Sequence, residues 1–125
     1  LIAKPELAKK IRENIVAMSN VLAIEGAKEA LVDKEFFNFS INKTNEAKES
    51  IYKTLDHLGL RYVRSHTNFI FFKSGIDIRK LGPTMLEKGV RIGRPFPPFY
   101  DWCRISCGTS QEVNRFITSI LEVYG

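Results

Sequence analysis

The hydrophobic pattern of this 125-residue chain changes its period about half-way along, and that change restricts the folds it can adopt. Up to about residue 58, apolar residues recur every three or four positions, which is typical of helices. From Thr67 onward, short aromatic runs alternate with turns, which indicates strands. A helical stripe returns after Thr109. The pattern predicts an α+β fold: a small, mostly antiparallel sheet covered by helices.

Three helices are predicted in the first half. Pro5 suits the first position of one helix, whose apolar stripe continues to Met18. Asn20 has the side chain to cap a second helix. A third begins near Asn45 and ends at Gly59, because glycine accepts the left-handed backbone of a helix C-cap. The aromatic and polar segment before the third helix has no clear period.

The second half predicts three strands and two helices. Asp77 can cap a helix that Gly89 closes, and Gly82-Pro83 must kink or restart that helix. Thr109 and Glu112 have the spacing of a capping box for the last helix. The predicted strands are at 67–72, 90–92 and 102–107.

The candidate functional residues are two arginines. Arg104 lies in an otherwise apolar strand, and the two-residue period places it on one face with Trp102 and Ser106. That face can be a plain solvent face, or Arg104 can project into a cleft and hold an anion through its two-pronged guanidinium. Arg94 would then supply a second cation beside the stiff, proline-rich loop at 95–98.

The net charge of +5 and the isoelectric point near 9.3 raise the possibility of a nucleic-acid partner. The basic residues are scattered, whereas nucleic-acid binders usually carry a dense basic stripe. We also expect Phe69, Phe71 and Phe72 in the core, where they could not stack on bases. The charge therefore favours a solvated surface or a small anionic ligand, and no nucleic-acid partner is predicted.

Other chemistry has weak support. Cys103 and Cys107 lie too far apart in an extended strand to form a disulfide, and we expect both to be buried thiols. Two cysteines without a second metal half-site do not predict zinc, and free thiols favour a reducing, cytoplasmic compartment. The sequence contains no apolar run of the roughly 18 residues that a membrane helix needs, so no membrane partner is predicted.

Four segments together resemble a known family. Ser65–Phe69 is similar to an S-x-x-N-F strand entry, and Gly89–Pro98 to a G-V-x-V/I-x-R-p-F-P segment. Trp102–Thr109 resembles an R-I/V-S/T-x-G-T strand, and Ile2–Leu7 resembles a stretch after a G-Y segment. In this order they resemble the histidinol-phosphate aminotransferases, which are class-II, fold-type-I enzymes that depend on pyridoxal 5'-phosphate.

The resemblance implies a division of labour within a longer parent enzyme. Residues 34–125 would form the C-terminal small domain, and 1–33 the helices linking it to an absent large domain. That large domain would bind pyridoxal 5'-phosphate, so this chain would contain no catalytic or cofactor-binding residue and would be inactive alone. Arg104 would bind the carboxylate or phosphate of a small anionic amino substrate, assisted by Arg94.

The resemblance also implies a reaction and an assembly. The parent would move an amino group between glutamate/2-oxoglutarate and histidinol phosphate/imidazole acetol phosphate, as a cytoplasmic homodimer. The opening at Leu1, without methionine, favours a fragment. A different class of function stays open, namely a free-standing regulatory module that binds a small anion without catalysis.

Overall fold

A computed structural model describes residues 3–15 and 20–125, so the predicted helical position Met18 lies outside the described residues. The chain divides into two compact units, Leu1–Phe37 and Asn38–Gly125. The predicted division between residues 33 and 34 stays a prediction. The elements in chain order are α1 (Pro5–Glu13), α2 (Val21–Val32), α3 (Lys34–His57), β1 (Tyr62–Val63), β2 (Phe69–Lys73), α4 (Ile78–Glu87), β3 (Trp102–Ser106) and α5 (Ser110–Tyr124).

Helices α1 and α2 begin where the sequence predicts. Pro5 occupies the first turn of α1, where its missing N–H costs no hydrogen bond. The Asn20 side chain accepts a hydrogen bond of 3.2 Å from the Ala23 amide, which caps α2. Neither helix contains a buried residue. Their stability therefore does not come from a core formed by their own side chains.

Helix α3 begins earlier than the predicted start near Asn45. Asp33 Oδ1 accepts a hydrogen bond of 2.8 Å from the Phe36 amide and so starts the helix upstream. Burial within α3 begins only at Ala47. The first turns carry no periodic apolar stripe because almost all their side chains are exposed, and the sequence pattern therefore missed them. The helix ends at His57, and Gly59 just beyond it has the left-handed φ of 65° that the predicted glycine cap requires.

The sheet contains three antiparallel strands in the order β1-β2-β3. The segment at 90–92, which was predicted as a strand, is not part of this sheet. The sheet contains β1 instead, which the sequence pattern did not predict. Gly93 donates one backbone hydrogen bond of 2.8 Å to the Arg104 carbonyl. The ladder does not continue because the following residues include Pro95, Pro97 and Pro98, which have no amide hydrogen to donate.

One face of the sheet forms the core of the second unit. Ile70 and Phe72 of β2 and Cys103 and Ile105 of β3 are buried on this face, in strict alternation with more exposed neighbours. Buried apolar residues of the helices complete the same core; they include Ile51, Leu55, Met85, Phe116 and Ile120. The predicted α+β architecture, a small antiparallel sheet with helices against it, is confirmed.

The two later helices have the predicted starts. Asp77 Oδ1 accepts a hydrogen bond of 2.9 Å from the Arg79 amide and caps α4. Pro83 lies inside α4, so the chain does not restart the helix there. Thr109 and Glu112 form the complete capping box of α5, with the Glu112 carboxylate 2.7 Å from the Thr109 amide.

Candidate anion-binding site

The second face of the sheet is open and aromatic. Phe69 and Phe71 of β2 and Trp102 and Arg104 of β3 share this face and are half-buried. The rings of Phe71 and Trp102 stack with centroids 5.0 Å apart. The expectation that Phe69 and Phe71 belong to the core is therefore wrong, and only Phe72 does. The sequence pattern does not show which positions of β2 are buried, because both faces of the strand carry phenylalanine.

Arg104 lies in the middle of this open face. Its Cα is paired with that of Phe71 on the neighbouring strand, as the antiparallel register requires. The guanidinium carbon lies 5.3 Å from the centroid of the Phe69 ring and 5.2 Å from that of the Phe96 ring. A guanidinium over a ring face is held by the ring quadrupole. Arg104 is thus fixed between two aromatic rings and does not extend freely into solvent.

Arg94 approaches the same ring from the proline-rich loop. Its guanidinium carbon lies 4.5 Å from the Phe96 centroid, and Nη1 donates a hydrogen bond of 3.3 Å to the Pro95 carbonyl. The structure therefore brings Arg94 and Arg104 together on one phenylalanine. Across residues 3–15 and 20–125, no acidic side chain forms an ion pair with either arginine. Both positive charges are available to an anion from outside the chain.

The loop approaches the sheet closely at Gly93 and at Phe96, and a backbone hydrogen bond closes the loop on itself. A Cβ atom on Gly93 would lie 2.8 Å from the Arg104 carbonyl oxygen, so only glycine permits this approach to β3. The Phe99 amide donates a hydrogen bond of 2.7 Å to the Phe96 carbonyl. The Phe96 ring contacts Phe71 edge to face at 5.8 Å. The prediction of a stiff loop beside Arg94 agrees with this arrangement.

Phe96 is the residue of this site that the sequence analysis missed as a functional candidate. It follows Arg94 by two positions, and the pattern treated it as one residue of a rigid turn. A single aromatic residue between prolines, two positions after a candidate arginine, is the signal that could have selected it. Its contact with Arg104 depends on the tertiary approach of loop to strand, which no local pattern contains.

The geometry suits a carboxylate or a phosphate. A guanidinium stacked on a ring still has its N–H groups in the plane of the fork, where they can form two parallel hydrogen bonds. Two such groups beside one ring offer several charged hydrogen-bond donors to a small anion. A third arginine, Arg61, lies over Trp102 at 5.4 Å and makes the open face more positive.

The thiols and a further cavity lie apart from these arginines. Burial raises the pKa of Cys103 to about 12, and it also raises the pKa of Cys107. Cys107 is only half-buried and follows the end of β3, so its predicted full burial is wrong. A cavity of about 450 Å³ is lined by Arg91 and Arg115 but by neither candidate arginine.

Within the described part of the chain, no three histidine, cysteine or acidic residues lie close enough to hold a metal ion. The described helices also include none that is both long enough and apolar enough to cross a membrane.

Comparison with known proteins agrees with the sequence resemblance. The chain is 33% identical over 128 residues to the histidinol-phosphate aminotransferase of Moorella thermoacetica, a match that covers 98% of this chain and 32% of that protein. Over nearly its whole length, this chain is therefore similar to one part of the histidinol-phosphate aminotransferases. It is also 34% identical over 103 residues to histidinol-phosphate aminotransferase 1 of Dechloromonas aromatica, across 81% of this chain and 28% of that protein. No protein-family model matches the chain.

Solved structures show the same relationship for the fold. A protein from Erwinia carotovora atroseptica, assigned as a histidinol-phosphate aminotransferase, superposes with a TM-score of 0.90 at 29% identity, over 97% of this chain and 35% of that one. The Sinorhizobium meliloti histidinol-phosphate aminotransferase, solved with pyridoxal-5'-phosphate, shares the fold with a TM-score of 0.64 at 22% identity, over 76% of this chain and 27% of its own. The chain spans about a third of the length of the curated relatives it matches.

Proposed function

We propose that this chain is the substrate-anion-binding small domain of a histidinol-phosphate aminotransferase that depends on pyridoxal 5'-phosphate. The parent enzyme moves an amino group between glutamate/2-oxoglutarate and histidinol phosphate/imidazole acetol phosphate. The observation that carries this proposal is the placement of Arg94 and Arg104 on one ring, without an acidic partner in the described chain. The relatives are named for a substrate that carries a phosphate.

Arg104 is the principal anion ligand in this proposal, and Arg94 is the second. Both substrate pairs of the proposed reaction contain an anionic group next to an amine or a ketone. One pair of guanidinium groups can therefore hold each substrate in turn by the same charged hydrogen bonds. Holding the anion fixes the position of the reacting carbon, so these arginines contribute by orientation and do not form or break bonds.

Pyridoxal 5'-phosphate supplies the amino-transfer chemistry in such enzymes. The lysine on the strand face of the arginines does not fit a site for it. Lys73 shares the strand face of the arginines, but its Nζ lies 3.3 Å from the Asp101 carboxylate and is ion-paired there. We therefore place the cofactor, with its lysine, in the part of the parent that this chain does not span, and we propose that the chain alone does not transaminate.

The first unit offers a surface for that part of the parent. α1 and α2 contain no buried residue, and several apolar side chains are mostly exposed, among them Leu22 at 83%, Leu31 at 74% and Val32 at 69%. Apolar surface of this kind is usually covered by a partner. We propose the large domain as that partner. A cytoplasmic homodimer remains our expectation for the parent.

Kinetics of the full-length parent test the role of Arg104. We expect Arg104→Ala to lower kcat/KM for histidinol phosphate by about 2–4 kcal/mol of transition-state stabilisation, because charged hydrogen bonds to the substrate are lost. The matched control is Arg64→Ala. Arg64 also lies over an aromatic ring, 5.1 Å from the Tyr52 centroid, but it pairs with Glu49 at 3.1 Å. An unchanged kcat/KM in Arg104→Ala would contradict the proposal.

A transamination assay of the full-length parent distinguishes an enzyme from a free-standing anion-binding module. The parent with pyridoxal 5'-phosphate should form 2-oxoglutarate or glutamate in proportion to the partner substrate, and the 125-residue chain with the same cofactor should not. Binding of inorganic phosphate that depends on Arg104, in a parent that does not transaminate, would instead establish the module.

A further inference from the structure

We propose that Phe96 is the positioning residue of the anion site, because its ring holds Arg94 and Arg104 in one arrangement. The inference deepens the proposed function and rests on it. Both guanidinium carbons lie within cation–π distance of this single ring, at 4.5 Å for Arg94 and 5.2 Å for Arg104. The two carbons cannot be farther apart than these two distances combined. The ring quadrupole attracts each guanidinium, although the two like charges still repel each other.

The ring contacts the aromatic layer of the sheet, and the Phe96 backbone is anchored within the loop. The ring meets Phe71 edge to face at 5.8 Å, and Phe71 stacks on Trp102 at 5.0 Å. The Phe96 carbonyl accepts the 2.7 Å hydrogen bond from Phe99, and the two residues form an isolated β-bridge. The aromatic layer of the sheet therefore determines where the ring lies, and the ring determines where the two guanidinium groups lie.

This arrangement has a consequence for anion binding. Arginine side chains lose substantial rotamer freedom when they are immobilised on a ligand. Arginines already held against a ring lose less of this freedom on binding, so the anion binds more tightly. Phe96 touches no reacting atom in this account, and its effect passes entirely through Arg94 and Arg104.

The first test is a nuclear magnetic resonance measurement on the 125-residue chain with its arginine Nε–Hε groups labelled. Protons above a ring face are shifted upfield by the ring current, so we expect Phe96→Leu to move the Hε signals of Arg94 and Arg104 downfield. The Hε signal of Arg61, which lies over Trp102, should stay in place. Unmoved signals of Arg94 and Arg104 would overturn the proposed geometry without any reference to activity.

The second test measures the affinity of the full-length parent for inorganic phosphate. We expect Phe96→Leu to weaken binding about tenfold, and Phe96→Tyr, which keeps the ring, to stay within about twofold of the unsubstituted protein. Phe99→Leu is the matched control in the same loop, because Phe99 is 53% exposed and contacts Phe96 through the backbone. An equal loss in Phe99→Leu would assign the effect to the loop and overturn the role of the ring.

Arg104→Gln separates failure of this inference from failure of the proposed function. If Arg104→Gln weakens phosphate binding but Phe96→Leu does not, Phe96 has no positioning role and the anion site stands. If Arg104→Gln leaves phosphate binding unchanged, the anion site itself is wrong. Thermal unfolding of each variant, followed by circular dichroism, shows whether the fold is retained.

Discussion

The two faces of the sheet are formed by the same two strands, yet they serve different purposes. On one face, Ile70, Phe72 and Cys103 are fully buried beneath the helices. On the other face, Phe71, Trp102 and Arg104 alternate with them and stay half-buried. Removal of apolar area from water stabilises the first face. Ring-to-ring and cation-to-ring contacts organise the second, which leaves guanidinium donors free for a ligand.

The comparison shows that hydrophobicity alone does not distinguish core from site. Phe71 and Phe72 are neighbours of the same residue type, and only the two-residue period of the strand assigns them to different faces. An aromatic residue on an open face can hold a cation there, as Phe69 and Phe96 do for Arg104. Aromatic residues in such a strand therefore should not be counted as core before the faces are known.

The largest expected effect on stability tests the difference between the two faces of the sheet. We expect Phe72→Ala to reduce the free energy of unfolding by about 3–5 kcal/mol, because a fully buried ring leaves a cavity. Phe71→Ala should cost about 1–2 kcal/mol, since the ring is half-buried and contributes stacking contacts. Urea unfolding of the two variants measures both values. Equal losses would contradict the distinction between the faces.

The loop that closes over the open face gives the next effect. Gly93→Ala would put a Cβ atom 2.8 Å from the Arg104 carbonyl oxygen, so the loop must move away from β3. We expect a loss of about 1–3 kcal/mol in unfolding free energy from this overpacking. Gly26→Ala is the control, because a Cβ at Gly26 meets nothing within 4 Å. A neutral Gly93→Ala would show that the loop does not depend on the close approach.

A smaller effect is the dependence of the unfolding free energy on pH, through a thiol on the buried face. Burial raises the pKa of Cys103 from its ordinary value of 9.0 to about 12, so the folded state favours the neutral thiol. This contribution is complete below about pH 9 and is lost as the pH rises toward 12, because the unfolded thiol ionises first. At pH 10 the loss is on the order of 1 kcal/mol.

Urea unfolding at pH 8 and pH 10 measures this contribution. The stability of Cys103→Ala should fall less between the two pH values than that of the unsubstituted chain. The half-buried Cys107 provides the control. Cys107→Ala should still lose most of the stability that the unsubstituted chain loses between pH 8 and pH 10. A parallel decline of Cys103→Ala and the unsubstituted chain would show that this thiol is not protected from ionising.

The smallest stability effect belongs to the open face. We expect Arg104→Met to change the free energy of unfolding by less than about 1 kcal/mol, because its cation–π contacts are partly exposed. The same substitution should remove most phosphate binding by the parent. A large loss of stability would place Arg104 among the structural residues and weaken the contrast between the faces.

The sequence by itself determined most of the local structure. Caps at Asn20, Asp77 and Thr109 start their helices where a side-chain oxygen can reach an unpaired amide. The period of the last strand also placed Arg104 opposite the buried Cys103 and Ile105. These features depend on residues a few positions apart, so the pattern contains the necessary information.

The tertiary structure decided what joins distant segments. The sheet contains β1 and not the predicted segment at 90–92, because strand pairing depends on hydrogen-bonding partners elsewhere in the chain. The tertiary structure turned Phe69 and Phe71 to the open face, and it brought Phe96 from a separate loop onto Arg104. No local period encodes such a contact, because the energy that selects it arises only when loop and strand meet.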